Sequence, residues 1–276
     1  MQATTAKATA WADGARASHA TVDVGLRVAE KDRRHAAAVL AGGVAYRIFF
    51  WLLALGLLLG GALGFFDAED VSSAASEHGL GAVLGDAVGD AARSSQATRW
   101  WLLVVGGWLL LWTGYMAAKA LLLVHATIWG IPPPRLGNAL VASLAFTGGA
   151  VGYLAAMEAA RWLREELDLL GLAVTLGLFV IPFLFWLGAS RALPNRASSW
   201  LELVPGAALV AVGVQTLHLL TAYFLGPRIT SATALYGSIG IATTILFWLY
   251  IVGRLVVAGA ILNVSVRDRR ERPVRG

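Results

Sequence analysis

Long apolar runs alternate along this chain with short polar punctuation. Six runs stand out, at about Ala41 to Phe66, Trp100 to Ile128, Asn138 to Ala160, Leu169 to Ser190, Leu203 to Leu225 and Tyr236 to Val266. A hydrocarbon core about 30 Å thick takes roughly 20 apolar helical residues, so each run is long enough to cross a bilayer. The connections are Ile131-Pro-Pro-Pro-Arg135, Arg161 to Asp168, Arg191 to Glu202 and Gly226 to Leu235. Proline cannot continue a helix, so the triple proline predicts a sharp exit from the second run. Two other stretches are amphipathic. From Ser18 to about Arg34, the apolar Val22, Leu26 and Ala29 recur at helical spacing among Arg27, Lys31, Arg33 and Arg34. That predicts a basic helix lying on the cytoplasmic membrane surface, with a solvated leader helix as the alternative. In the acidic loop after the first run, Leu80, Val83, Leu84, Ala87, Val88 and Ala91 keep helical spacing and predict a second interfacial helix.

The expected fold is therefore all-α: a polytopic membrane protein with six transmembrane helices and amphipathic interfacial helices in the N-terminal segment and the first outer loop. Residues 1–35 form the N-terminal segment, 36–263 the transmembrane domain with its outer loop at 67–99, and 264–276 a basic tail. Residues 1–17, small and polar, read as disordered. Composition agrees, since 58% hydrophobic and 14% charged residues leave too few charges to clothe a soluble globule of 276 residues. The absence of cysteine excludes disulfides and thiolate chemistry. The net charge of +5 resides mainly in the terminal segments, beside apolar runs, and so points to orientation and anionic lipid headgroups. With both termini cytoplasmic, fifteen of the 22 lysines and arginines fall in inner segments and five in outer ones, which favours that orientation in a plasma membrane. No removable signal peptide is expected in the first forty-odd residues.

Candidate chemistry rests on cations placed where charge is expensive. An arginine near a helix centre costs about 2.5 to 3.5 kcal/mol on insertion scales, against roughly 0.3 to 0.6 returned by each central Leu, Ile, Phe or Val. Arg254 lies inside the last run, after Phe247 and Tyr250 at steps of three and four; Lys119 continues a stripe of Trp108, Trp112 and Tyr115 in the second. Arg47 enters from the start of the first run, one turn before Trp51. Two readings stand open. Each side chain snorkels separately to the cytoplasmic interface, or Lys119, Arg254, Arg47, Tyr115 and Tyr250 line an inner-leaflet cavity that binds an anionic group such as a lipid phosphate. Pairing with carbonyls or with a partner's carboxylates is a further possibility.

Other polar positions say less. Gln215 and His218 share a face and read as a helix-to-helix rung, with a proton relay as the alternative; Pro182 is a kink candidate; the glycines at 148, 149, 152, 171 and 177 would allow close helix contact. His125 reads as a lone interfacial histidine, and Asn195 and Arg196 as weak candidates for phosphate contact. The chain carries no HExxH, GxSxG or P-loop and no paired aspartates inside a run, so neither an enzyme, a metal site nor a cofactor is expected. No basic and aromatic soluble platform suggests nucleic acid.

Three stretches resemble the YihY or virulence factor BrkB family of bacterial inner-membrane proteins: AAAVLAGGVAYRIFFWLLALG at Ala36 to Gly56, LPNRASSWLELVPGA at Leu193 to Ala207, and YGSIGIATTILFWLYIVGRLVVAGAILN at Tyr236 to Asn263. The resemblance implies a six-span helical fold with cytoplasmic termini in a bacterial inner membrane. It also marks departures, because the family often has Ser and Pro where this chain has Trp51 and Ala54, and Glu where it has Ile261. Members have been labelled ribonuclease BN, and nothing in these residues supports RNA hydrolysis. The expected function is transport or lipid handling, without a cofactor, of an anionic, lipid-phosphate-like substrate. The alternative is a non-transporting scaffold that docks cell-envelope partners through the acidic loop and basic tails.

Overall fold

The computed structural model describes residues 20–63, 65, 98–133, 137–166, 171–220 and 238–271. Among these, seven α-helices follow one another and no strand occurs: α1 (Ala20–Arg34), α2 (Ala37–Leu63), α3 (Arg99–Trp129), α4 (Ala139–Glu166), α5 (Gly171–Ala192), α6 (Val204–Leu220) and α7 (Ser238–Glu271). A short 3-10 turn at Trp200–Glu202 precedes α6. Four helices are long and apolar enough to cross a membrane, over Ala37–Ala62, Arg99–Trp129, Ala139–Ala159 and Ala242–Glu271. The fourth and fifth expected spans appear as shorter apolar stretches, Phe179–Ala192 and Val204–Leu217. The interfacial helix expected at Leu80 to Ala91 and the disorder expected before residue 18 lie outside the described residues.

Helix ends follow local chemistry. Asn138 caps α4, its Oδ1 accepting the Leu140 N–H at 2.9 Å. At the end of α3, Gly130 takes φ +61°, and the Ile131 N–H reaches back to the Ala126 carbonyl at 2.8 Å while Gly130 bonds Thr127. This closure needs a left-handed residue, so the helix stops at glycine before the prolines. α7 continues past Val266, the expected end of the last span, to Glu271, which accepts from Arg267 one turn earlier at 2.7 Å.

The chain packs as two compact units: residues 1–45, 121–135 and 150–276, and residues 46–120 and 136–149. In the first, α7 lies between α6 and α1. Val252 and Val256 pack with Val210 and Val214 of α6 and Trp186 of α5, while the opposite side of α7 carries Arg254 and Asp268 toward α1. With neighbours on both sides, most of Gly253 to Ser265 is buried. Lipid tails are as apolar as leucine, so helices in a bilayer associate through close packing rather than the hydrophobic effect. Glycines supply it here. A side chain at Gly206 would collide with the Gly259 carbonyl and the Asn263 amide, and one at Gly253 would lie 2.6 Å from the Ala41 carbonyl. Asn263 in turn accepts the Gly206 N–H at 2.7 Å, satisfying a first-turn donor of α6 from the neighbouring helix.

In the second unit, Gly106 meets the Leu58 backbone at 2.8 Å and Gly114 meets Ser143 Oγ at 2.6 Å, again measured from an added Cβ. Trp51 is buried, donates to Thr147 Oγ1 at 3.1 Å and stands edge-on to Phe146. Gly148 and Gly152, expected to permit close helix contact, have nothing within 4 Å of an added Cβ. Pro182 is buried inside a helix that runs on through it.

Candidate functional site

Arg254 is the cation whose surroundings the structure defines best. Its side chain is about one-third exposed, at 33%, and Nη2 contacts Asp32 Oδ1 of α1 at 3.0 Å. Nη1 is sealed from solvent and has no hydrogen-bond partner. Tyr250, one turn earlier, is half-buried. The acid facing Arg254 thus comes from the basic N-terminal helix, where the sequence suggests surface charge alone. Two further contacts fasten α1 to α7. Lys31 Nζ lies 2.8 Å from Asp268, and the buried Asp23 holds Arg27 at 3.0 Å and lies 3.8 Å from Arg269. The partly exposed Lys31–Asp268 and Arg254–Asp32 pairs contribute about 0 to 1 kcal/mol each, so their main effect is to fix which face of α1 meets α7.

The remaining predicted residues belong to the second unit. Lys119 and Arg47 are exposed and Tyr115 is half-buried. The tryptophans in line with Lys119 are exposed as well, with the Trp108 and Trp112 rings stacked at 6.1 Å.

Several of the polar residues weighed as lesser candidates make contacts within the fold. Asn195 and Arg196 spend their side chains on backbone groups. Asn195 Nδ2 donates to the carbonyls of Ser190, Arg191 and Leu193, while Arg196 donates to Gly130 at 2.7 Å. In this structure the Asn195 amide holds its own loop. His125 is buried, its Nδ1 3.0 Å from the Leu121 carbonyl. Gln215 Oε1 is buried without a partner; the His218 side chain lies outside the described residues. Ile261, where the family often has Glu, is fully buried and contributes apolar packing, and the carboxylate that reaches Arg254 is Asp32.

The sequence pattern described as virulence factor BrkB matches residues 28–275. The chain belongs to that family. A UPF0761 membrane protein of Stenotrophomonas maltophilia strain K279a is 28% identical over 167 residues, covering 60% of this chain and 33% of that protein. Its counterpart in strain R551-3 aligns to the same extent. YfkH of Bacillus subtilis strain 168, described as ribonuclease-like, is 27% identical over 128 residues, covering 46% of this chain and 42% of YfkH. The chain thus spans about a third of the length of the Stenotrophomonas relatives it matches. No solved structure matches it. Membership in the BrkB family and the apolar helices together make this a membrane protein.

Proposed function

We propose that this BrkB-family protein is a transporter or lipid-handling protein that binds an anionic, lipid-phosphate-like group through Arg254. One observation carries the reading: an arginine in an apolar helix pairs by one arm with Asp32 and keeps a second donor buried and unspent. A buried N–H without a partner costs free energy, and a phosphate or carboxylate oxygen is a natural acceptor for a guanidinium fork. Asp32 is then an internal stand-in for the ligand anion, displaced or joined when the ligand arrives. Tyr250, one turn before Arg254, belongs to the same candidate site; Lys119 and Arg47, with Tyr115, are separate candidates for anionic groups within the second unit.

The test is retention of phosphatidylglycerol by the full chain in native mass spectrometry. Arg254→Gln weakens retention about tenfold or more, the scale of losing a charge-assisted hydrogen bond. Asp32→Asn strengthens it by freeing the guanidinium. The alternative is a non-transporting scaffold for envelope partners, and it draws support from the same ion pair, since Arg254 already has an internal partner. Under that reading both substitutions lower the melting temperature and neither changes lipid retention.

A further inference from the structure

The connection between α5 and α6 is built as a rigid foot. Asn195 fixes it from inside: its Nδ2 donates to three carbonyls and its Oδ1 accepts the Ala197 N–H at 3.0 Å. Arg267 of α7 donates to the Arg196 carbonyl, and Arg196 donates to the Gly130 carbonyl just past the end of α3. Ala197 and Leu203 turn inward and are buried. Trp200 and Leu201 turn outward and are 52% and 71% exposed. A chain segment held by this many bonds does not fold its apolar tips away, so their exposure is a property of the foot.

Two guanidinium groups flank those tips, against one carboxylate. The Arg191 guanidinium lies 6.0 Å from the centre of the Trp200 ring, and both Arg191 and Arg196 are exposed. The one nearby carboxylate, Glu202, keeps its charge but is turned to the foot itself, accepting from Ser198 Oγ at 2.6 Å and from the Ser198 N–H. Those bonds hold the Glu202 carboxyl below its usual range. The foot also joins the ends of two apolar helices, which brings it to the level where a bilayer meets water.

We infer that Trp200 and Leu201, flanked by Arg191 and Arg196, dock this end of the molecule into the anionic headgroup layer of its own membrane. Tryptophan favours that depth, with its ring in the acyl boundary and its N–H toward water. Arginines beside it gain from anionic lipid, each by about five-fold in partitioning. The partner is thus a lipid surface, and the inference does not depend on the role proposed for Arg254.

The chain has no cysteine, so Leu201→Cys creates one labelling site for a polarity-sensitive bimane probe. The labelled full chain is placed in nanodiscs of phosphatidylcholine alone or mixed with phosphatidylglycerol. Expected is a blue-shifted emission, quenched by headgroup-level spin-labelled lipid, and several-fold stronger quenching with phosphatidylglycerol. Adding Arg191→Gln removes much of that dependence. A probe that stays in water in both lipids overturns the inference, as does insertion that is equal in both. The comparison of lipids leaves the arginines intact, so it decides the matter even if Arg191→Gln fails to fold.

Discussion

Gly206 shows how much a single missing side chain can decide. Its hydrogen stands where a methyl would strike the Gly259 carbonyl and the Asn263 amide, and its N–H is held by Asn263. Overpacking a tight contact costs about 1 to 3 kcal/mol. Gly206→Ala should therefore lower the melting temperature in detergent, at about 2 to 4 °C per kcal/mol for a chain of this size class. Asn263→Ala should cost about 1 kcal/mol by orphaning the Gly206 donor. Unchanged melting in both variants would show that α6 and α7 do not approach this closely. Arg254 teaches the same lesson for charge. The sequence singles it out, but its environment depends on Asp32, a residue that reads as one acid in a basic helix.

At the scale of elements, the joint between α1 and α2 is the most loaded. Ala36 sits at φ +47°, a left-handed conformation that costs an ordinary residue roughly 1 to 2 kcal/mol. Ala36→Gly should raise stability by about 1 kcal/mol; a drop in melting temperature would contradict the strained joint. Beside it, burial and then Lys31 and Arg34 hold His35 below its ordinary value of 6.5. The unfolded chain consequently binds the proton more readily, so stability is fully present above about pH 6.5 and is lost as pH falls toward the lowered value. Melting curves between pH 7 and 5 should fall more steeply for the native chain than for His35→Gln.

The helices themselves were legible because apolar runs and caps such as Asn138 act locally. Their partners were not. The sequence pointed to Gly148 and Gly152 as close-contact positions, yet nothing lies within 4 Å of an added Cβ there, while Gly106 and Gly114, which it did not single out, do meet another helix. The pairing of Lys31 with Asp268 spans 237 residues, a distance over which one sequence carries no signal. Trp51, read as a neighbour of Arg47, is instead a buried link to Thr147.

For the whole molecule, the N-terminal helix and the tail of α7 form one assembly joined by Asp23, Lys31 and Asp32. Deleting residues through Arg34 should raise amide hydrogen exchange in residues 264–271 and leave α6 protected; unaltered exchange in the tail would show that α1 does not steady it. Added salt should act in the same direction, since these partly exposed pairs are screened. The mutual locking of α6 and α7 reaches further. A cap borrowed from one helix by the other, at a crossing too close for any methyl, forbids sliding or unscrewing between them. Any opening and closing cycle must carry this pair as a single rigid piston, and its hinges have to be sought in other parts of the chain.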